Sequence, residues 1–262
     1  MGELSEVIST VCPGVVRLAF YREHEQIGSG SGFLTRGKLV TNSHVIRAGE
    51  FDAIELTFGD QSRNPIEPIR LSQKDLFQRI YNEFPEGSLD YAVLDMSAEP
   101  EFANRHEFEI ARADGIMEVG DQVLFFGFPF GSKVLTSHVG YISAEYREQG
   151  IHLLQIDGSI NRGNSGGLLF HLNSGKVVGI GTRTQTGLER DFDELVTAIQ
   201  ANEQALSQRG GVAVSIGGVD PIQATRVTMT ILRKVATNLK RSANVGIGWA
   251  FCAEHVLEGG GI

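Results

Sequence analysis

The chain has 262 residues, 41% of them hydrophobic and 21% charged, and a formal net charge of −9. Such a composition supports a full globular core and excludes a disordered or coiled-coil chain, while the acidic balance excludes nucleic acid as the natural partner. No apolar run approaches the roughly 20 residues of a membrane helix, so no membrane partner is expected.

Met1 to Ser9 carry neither a basic stretch nor an apolar core, and no secretory signal is read there. The two cysteines, Cys12 and Cys252, lie near opposite ends of the chain and form no CxxC pair. Two are too few for a disulfide scaffold. They are read as buried free thiols of a reducing compartment, and the expected location is cytoplasmic.

From Val11 to about Thr186 the chain reads as short strands between glycine turns, in keeping with its 32 glycines. The strands are placed at Val15–Tyr21, Gly32–Thr35, Lys38–Asn42, Ala53–Phe58, Tyr91–Asp95, Gln122–Gly127, His152–Ile156, Gly167–Leu172 and Lys176–Thr182. Gly28-Ser29-Gly30-Ser31-Gly32 is read as a turn between strands. Asn173-Ser174-Gly175 is read as a hairpin turn. One helix is expected from Gln73 to Phe84, capped by Ser72 with Asp75 three residues on and stopped by Pro85. Many short strands at this spacing indicate a barrel or sandwich and not a βαβ sheet.

The pattern changes after Thr186. Thr186-Gly187-Leu188-Glu189 has the form of a capping box, and apolar residues then recur at Leu188, Phe192, Leu195, Val196, Ile199 and Leu206. Gly210-Gly211 closes that helix, and Asp220-Pro221 opens a second with proline in its first turn. Residues 187–243 are therefore read as a helical hairpin inserted in a β domain, with strand resuming at Val245–Phe251.

Three segments carry chemistry. Val40-Thr41-Asn42-Ser43-His44-Val45 is a strand ending in a histidine, and Asp90 opens the apolar strand Tyr91–Leu94. Asn161-Arg162-Gly163-Asn164-Ser165-Gly166-Gly167 places a serine in a glycine-rich turn. A serine hydroxyl attacks a carbonyl only if a base takes its proton, which His44 can do and later return to the leaving amine. Asp90 would fix the imidazole tautomer, and the N–H groups of Gly163 and Ser165 can face a developing oxyanion. Gly163-x-Ser165-x-Gly167 also fits the nucleophile elbow of α/β-hydrolases, with His255 as a late base, but that motif needs a helix after the serine and a strand follows here.

These segments, with Gly28–Phe33, Val119–Val123, Gly127–Gly131, Gln155–Asp157, Gly179–Thr182 and Gly246–Ala250, resemble the trypsin-fold serine proteases, most closely the HtrA family. The resemblance implies an all-β fold of two six-stranded antiparallel β-barrels with the inserted helical hairpin, and an active site between the barrels. It implies a barrel at 1–110 with His44 and Asp90, a second at 111–186 and 244–262 with Ser165, and the insertion at 187–243. It implies a serine endopeptidase acting on polypeptide substrates, with Thr182 able to bond Asp90. It also implies a pocket around Ser159, Ile160, Thr182 and Ile247, without the acidic base of trypsin, that takes small or medium aliphatic residues.

The sequence departs from the family at several places. Between Met1 and Ile262 neither the PDZ domain nor the trimerising N-terminal extension of relatives is expected, and with the start Met1-Gly2-Glu3 activation by a new N-terminus is not expected. The insertion is expected to act as a lid or as the docking arm of a regulatory protein partner, the alternative being a passive decoration. No cofactor and no metal are expected: Gly28–Gly32 lacks the Gly-Lys-Ser/Thr of a phosphate loop, and the seven histidines include no HExxH and no short-range His/Cys cluster. The alternative function is a catalytically idle trypsin-fold module that binds clients as a chaperone does.

Overall fold

A computed structural model describes residues 2–59, 67–85, 88–112, 116–182, 187–208, 220–242, 246–259 and 262. Helix α1 (Gly2–Val11) leads into a seven-stranded antiparallel sheet built from β1 (Val15–Arg22), β2 (Glu25–Thr35), β3 (Lys38–Thr41), β4 (Ala53–Phe58), β5 (Ile69–Ser72), β6 (Ile80–Phe84) and β7 (Tyr91–Asp95). Its order is β5-β4-β1-β2-β3-β7-β6, with the short helices α2 (Ser43–Ile46) and α3 (Gln73–Gln78) between strands. The second sheet is a closed six-stranded barrel of β8 (Gln122–Gly127), β9 (Thr136–Glu148), β10 (Ile151–Ile156), β11 (Leu168–His171), β12 (Lys176–Gly181) and β13 (Gly248–Cys252), in the order β10-β13-β12-β11-β8-β9. Helix α6 (Glu254–Glu258) follows it. These elements form one compact unit, Met1–Thr184 with Gly246–Ile262. Of the two six-stranded barrels expected, the second is closed, while the first is a seven-stranded sheet wrapped as a half-barrel.

Apolar runs such as Val123-Leu124-Phe125-Phe126 show no alternation because both faces of the strand are covered. Val123 and Phe125 point into the closed barrel beside Leu154, Leu169 and Val178. Leu124 and Phe126 point the other way, into a shared core with Phe33, Val40 and Val93 of the first sheet. Strand β7 divides likewise: Ala92 and Leu94 join the core inside the first sheet, Tyr91 and Val93 the shared core. Since side chains alternate with period two, each such strand feeds two cores at once. The first sheet is thereby packed against the closed barrel.

A second unit, Gln185–Val245, holds the helices α4 (Gly187–Gln208) and α5 (Pro221–Ser242). Asp220 caps α5, its Oδ1 accepting from the N–H groups of Ile222 and Gln223 at 2.9 and 3.3 Å. Ile199 and Ala236 are buried, and Glu203 accepts a hydrogen bond from Thr230 at 2.9 Å and faces Arg233 at 3.5 Å. Leu195, read on the apolar stripe of the first helix, is exposed, as are Ile222 and Leu232 of α5. The capping box at Thr186 and the stop at Gly210-Gly211 fall outside the described residues.

Several expectations about elements change. The helix read over Gln73–Phe84 is helical only to Gln78; Ile80–Phe84 is strand β6, paired with β7 through Phe84 and Tyr91. Ile80 and Phe84 share a face in either period, being four apart, so periodicity could not separate the two. The Ser72 cap holds, accepting from Asp75 N at 3.1 Å. Gly28–Gly32 is no turn: it lies inside β2, where Gly28, Gly30 and Gly32 pair with β1. There a Cβ on Gly30 would sit 2.4 Å from Val45 and one on Gly32 2.7 Å from the Val40 carbonyl oxygen, so the glycines serve close packing.

Candidate active site

His44 sits on α2, two residues past Asn42, the N-cap that follows β3, and is buried. Its Nδ1 lies 2.7 Å from Asp90 Oδ2, and its main-chain N–H donates to Asp90 Oδ1 at 3.0 Å. Thr182 adds a third donor, its hydroxyl 3.2 Å from Asp90 Oδ2. Asp90 holds this position at φ 41°, a left-handed conformation unusual for a side-chain-bearing residue. Its carbonyl oxygen is gripped by Asn42 Nδ2 at 2.7 Å, which offsets part of that cost. With Nδ1–H given to the carboxylate, the imidazole carries its lone pair on Nε2, the nitrogen a general base needs.

Ser165 reaches the same region from the closed barrel. Its carbonyl oxygen accepts from Ser31 N of the first sheet at 2.8 Å. A Cβ on neighbouring Gly166 would fall 2.9 Å from Asn42 N, so the serine turn is wedged against the turn that carries His44. Among the described residues no hydrogen bond joins the Ser165 hydroxyl to the imidazole. Within the turn, the N–H groups of Asn164, Gly166 and Gly167 donate to Asn161, Gly181 and Asn164 carbonyls, each at 2.9 Å. Those of Gly163 and Ser165 have no acceptor among the described residues. Gly163 adopts φ 97°, and a Cβ there would lie 2.2 Å from the Phe128 carbonyl oxygen.

Ser31 is a site residue that sequence reasoning passed over. Its hydroxyl donates to the Gly163 carbonyl at 2.6 Å and accepts from Phe128 N at 3.1 Å, and its own carbonyl accepts from Thr41 Oγ1 at 2.7 Å. It thus ties the strand before His44 to the turn before Ser165. The available signal was the period-two Gly-Ser alternation, which marks a strand.

Of the residues expected to shape the pocket, Ile160 is buried in the closed barrel's core, in the space left by two glycines. Cβ atoms on Gly181 and Gly248 would lie 3.3 and 2.7 Å from it. Ser159 and Ile247 are half-buried. Thr182, placed by expectation at both the pocket and Asp90, directs its hydroxyl to Asp90 Oδ2. A cleft of about 730 Å³, not foreseen, opens beside His44 and is lined by Ser43, Arg47, Ala48, Gly49, Glu83 and Pro85. Arg47 grips Glu83 with two nitrogens at 3.0 and 2.6 Å, and Ser43 donates to Glu83 at 2.6 Å. The Arg47 hydrogen bonds hold the Glu83 carboxyl below its ordinary range against the opposing effect of burial.

Residues 30–180 match the family described as Trypsin-like peptidase domain, and the chain belongs to that family. It is 35% identical over 205 residues to a probable periplasmic serine endoprotease, DegP-like, of Bartonella henselae, covering 72% of this chain and 36% of that protein. A protein of the same description from Pseudomonas fulva is 29% identical over 234 residues, 87% of this chain and 38% of the relative. A solved structure, the HtrA-type protease AlgW with tripeptide, superposes with a TM-score of 0.59 at 24% identity, covering 97% of this chain and 61% of that one. The chain therefore spans about a third of the length of the curated relatives it matches.

The relatives' periplasmic description overturns the expectation of a cytoplasmic location. That expectation leaned on cysteine count. Both cysteines are buried and in no disulfide, and burial pushes the Cys252 thiol up to about 12, so cysteine usage does not distinguish an oxidising from a reducing compartment here.

Proposed function

We propose that this chain is a serine endopeptidase that hydrolyses polypeptides through His44, Asp90 and Ser165. The observation that carries the reading is the buried His44 imidazole, with Nδ1 taken by Asp90 at 2.7 Å and Nε2 left to accept a proton. Ser165 Oγ attacks the scissile carbonyl as His44 takes its proton. The N–H groups of Gly163 and Ser165 stabilise the oxyanion, and His44 protonates the departing amine. Water, deprotonated by the same imidazole, then attacks the acyl carbonyl, and His44 returns that proton to Ser165 Oγ as the ester C–O bond breaks. Asp90 remains ionised and stabilises the imidazolium, with Thr182 and the His44 N–H holding it in register.

Ile160 occupies the room between Gly181 and Gly248, which supports a shallow pocket for Val, Ala, Ile or Leu before the cut. Selectivity there is loose, since a methylene is worth only about 1–3 kcal/mol. The cleft of Arg47 and Glu83 suits a neighbouring substrate residue. In sequence the hairpin lies between Thr182 and Ile247, which supports a regulatory arm that receives a protein partner.

A fluorophosphonate probe tests the reading. Wild type should label and digest casein, while Ser165→Ala should do neither, with kcat lower by about 10⁶. Equal labelling of the two proteins, or no labelling of the folded wild type, leaves only an idle binding module. Replacing residues 188–242 with a short glycine linker tests the arm: unchanged kcat/KM and unchanged partner binding remove it.

A further inference from the structure

The end of the closed barrel away from the serine turn holds a second cluster of reactive side chains. His152 is the second residue of β10, Cys252 ends β13 and Glu254 starts α6. All three are buried, and one donor atom of each lies within 4.8 Å of the others. Strand register sets this end apart: Ile156 pairs with Gly248 near the pocket, whereas Leu153 pairs with Phe251 beside the cluster. Nothing in the hydrolytic chemistry uses it.

Its wiring is that of a coordination site. His152 Nδ1 faces Glu254 Oε1 at 2.8 Å, while Nε2 faces Glu145 Oε1 at 2.7 Å. A neutral imidazole has one N–H to give, so it can satisfy one carboxylate with that proton and offer the other nitrogen as a ligand. The Glu145 bond supplies the outer hydrogen bond that fixes the tautomer of a metal-bound histidine. Burial pushes the Cys252 thiol up to about 12, and the main-chain N–H of Glu254, donating to its sulfur, opposes that rise. His255 is already engaged, its Nε2 accepting from His152 N at 3.1 Å and its Nδ1 facing Glu258 at 3.2 Å. Arg147 stands 3.6 Å from Glu254 on a largely exposed side chain that can swing to solvent.

We propose that His152 Nδ1, Cys252 Sγ and Glu254 form a site for a divalent transition metal of the zinc class, with Glu145 as the outer partner of His152 and water in the fourth position. The ligand set of one nitrogen, one sulfur and one carboxylate oxygen suits Zn²⁺ and disfavours Mg²⁺ or Ca²⁺. Bond lengths of about 2.3 Å to sulfur and about 2.0–2.2 Å to nitrogen and oxygen place tetrahedral donors roughly 3.3–3.7 Å apart. The His152–Glu254 pair opens and the wider contacts close by about 1 Å to meet that geometry. On binding, the Cys252 thiol proton and the proton between His152 and Glu254 pass to solvent, with no change of oxidation state. The ion clamps β10, β13 and α6 as a structural staple remote from the nucleophile. The expectation of no metal rested on spacing along the chain, and these ligands lie about a hundred residues apart.

The full chain carrying Ser165→Ala, which removes self-digestion, is purified with zinc, desalted and analysed for metal. Roughly one zinc per chain is expected. Cobalt(II) added to metal-free protein should give the intense near-ultraviolet thiolate-to-cobalt band, and zinc should abolish it. Cys252→Ser loses the band and Cys12→Ser keeps it, while Glu145→Gln weakens affinity by about 10–100-fold. Circular dichroism identifies folded variants. Wild-type chain that is folded but takes up no zinc and shows no thiolate–cobalt band overturns the site. So does a band that survives Cys252→Ser. Because the readout is metal content and absorption in a chain without its serine, failure here is separate from failure of the hydrolytic reading.

Discussion

Replacing Gly163 by alanine puts one methyl group against the floor of the serine turn. The added carbon would stand 2.2 Å from the Phe128 carbonyl oxygen and 3.2 Å from Phe130 N, at φ 97°. Carbon contacts settle at about 3.5–4.0 Å, so the peptide must retreat by more than about 1 Å. Left-handed φ adds about 1–2 kcal/mol for an L-residue and overpacking about 1–3 kcal/mol. The larger effect is on rate, because the displaced peptide carries one of the two free N–H groups. Losing an oxyanion donor costs about 2.7–4 kcal/mol, or 10²–10³ in kcat, with KM little changed. Gly150→Ala is the control: its φ is 84° but nothing lies within 4 Å of the new carbon. It should lose about 1–2 kcal/mol of stability and no activity. Both variants are measured by peptide hydrolysis and urea unfolding. A folded Gly163→Ala enzyme with kcat within about threefold of wild type, a barrier change below roughly 1 kcal/mol, refutes the reasoning.

Asp90→Asn should lower kcat by about 10⁴ while substrate binding persists, because the amide favours the wrong imidazole tautomer; steady-state kinetics checks it. Ser31→Ala strips the acceptor of a buried Phe128 N–H and the donor to Gly163. It should cost about 1–3 kcal/mol in urea unfolding and lower kcat more than it changes KM. Glu83 has a folded pKa below its unfolded value, so its stabilisation is complete above about pH 4.5 and disappears as pH falls through the lower, folded value. The stability gap between wild type and Glu83→Gln should therefore be constant from about pH 7 to 5 and close in more acidic solution; a gap that widens on acidification contradicts this assignment.

The segments around His44, Asp90 and Ser165 were legible because each carries local chemistry: a polar strand end, an acid before an apolar run, glycines around a serine. The strands at Ala53–Phe58, Tyr91–Asp95 and Gln122–Gly127 match in their bounds, because apolar runs bounded by polar residues leave little choice. Strand β9 was missed because, of its thirteen residues, only Gly140 and Ile142 are buried, and so it has little hydrophobic pattern. Ser31, Arg47 and Glu83 were illegible for another reason. Their meaning lies in partners far along the chain, Ser31 being 132 residues from Gly163, and no local propensity encodes such a meeting. His152 and Cys252 belong to the same class.

The connection between β12 and β13 has a bearing on how such a protein can diversify. The two strands are ladder neighbours, with Gly181 opposite Ala250 and Thr182 N bonded to the Trp249 carbonyl at 3.0 Å. The chain therefore leaves and rejoins the barrel at stations about 5 Å apart. Closure entropy grows only as the logarithm of length, roughly 0.6 kcal/mol per doubling. A folded cassette whose own termini meet can be grafted at this junction without straining the barrel ladder. The junction is thus a natural place to exchange one appended module for another while the hydrolytic scaffold stays fixed.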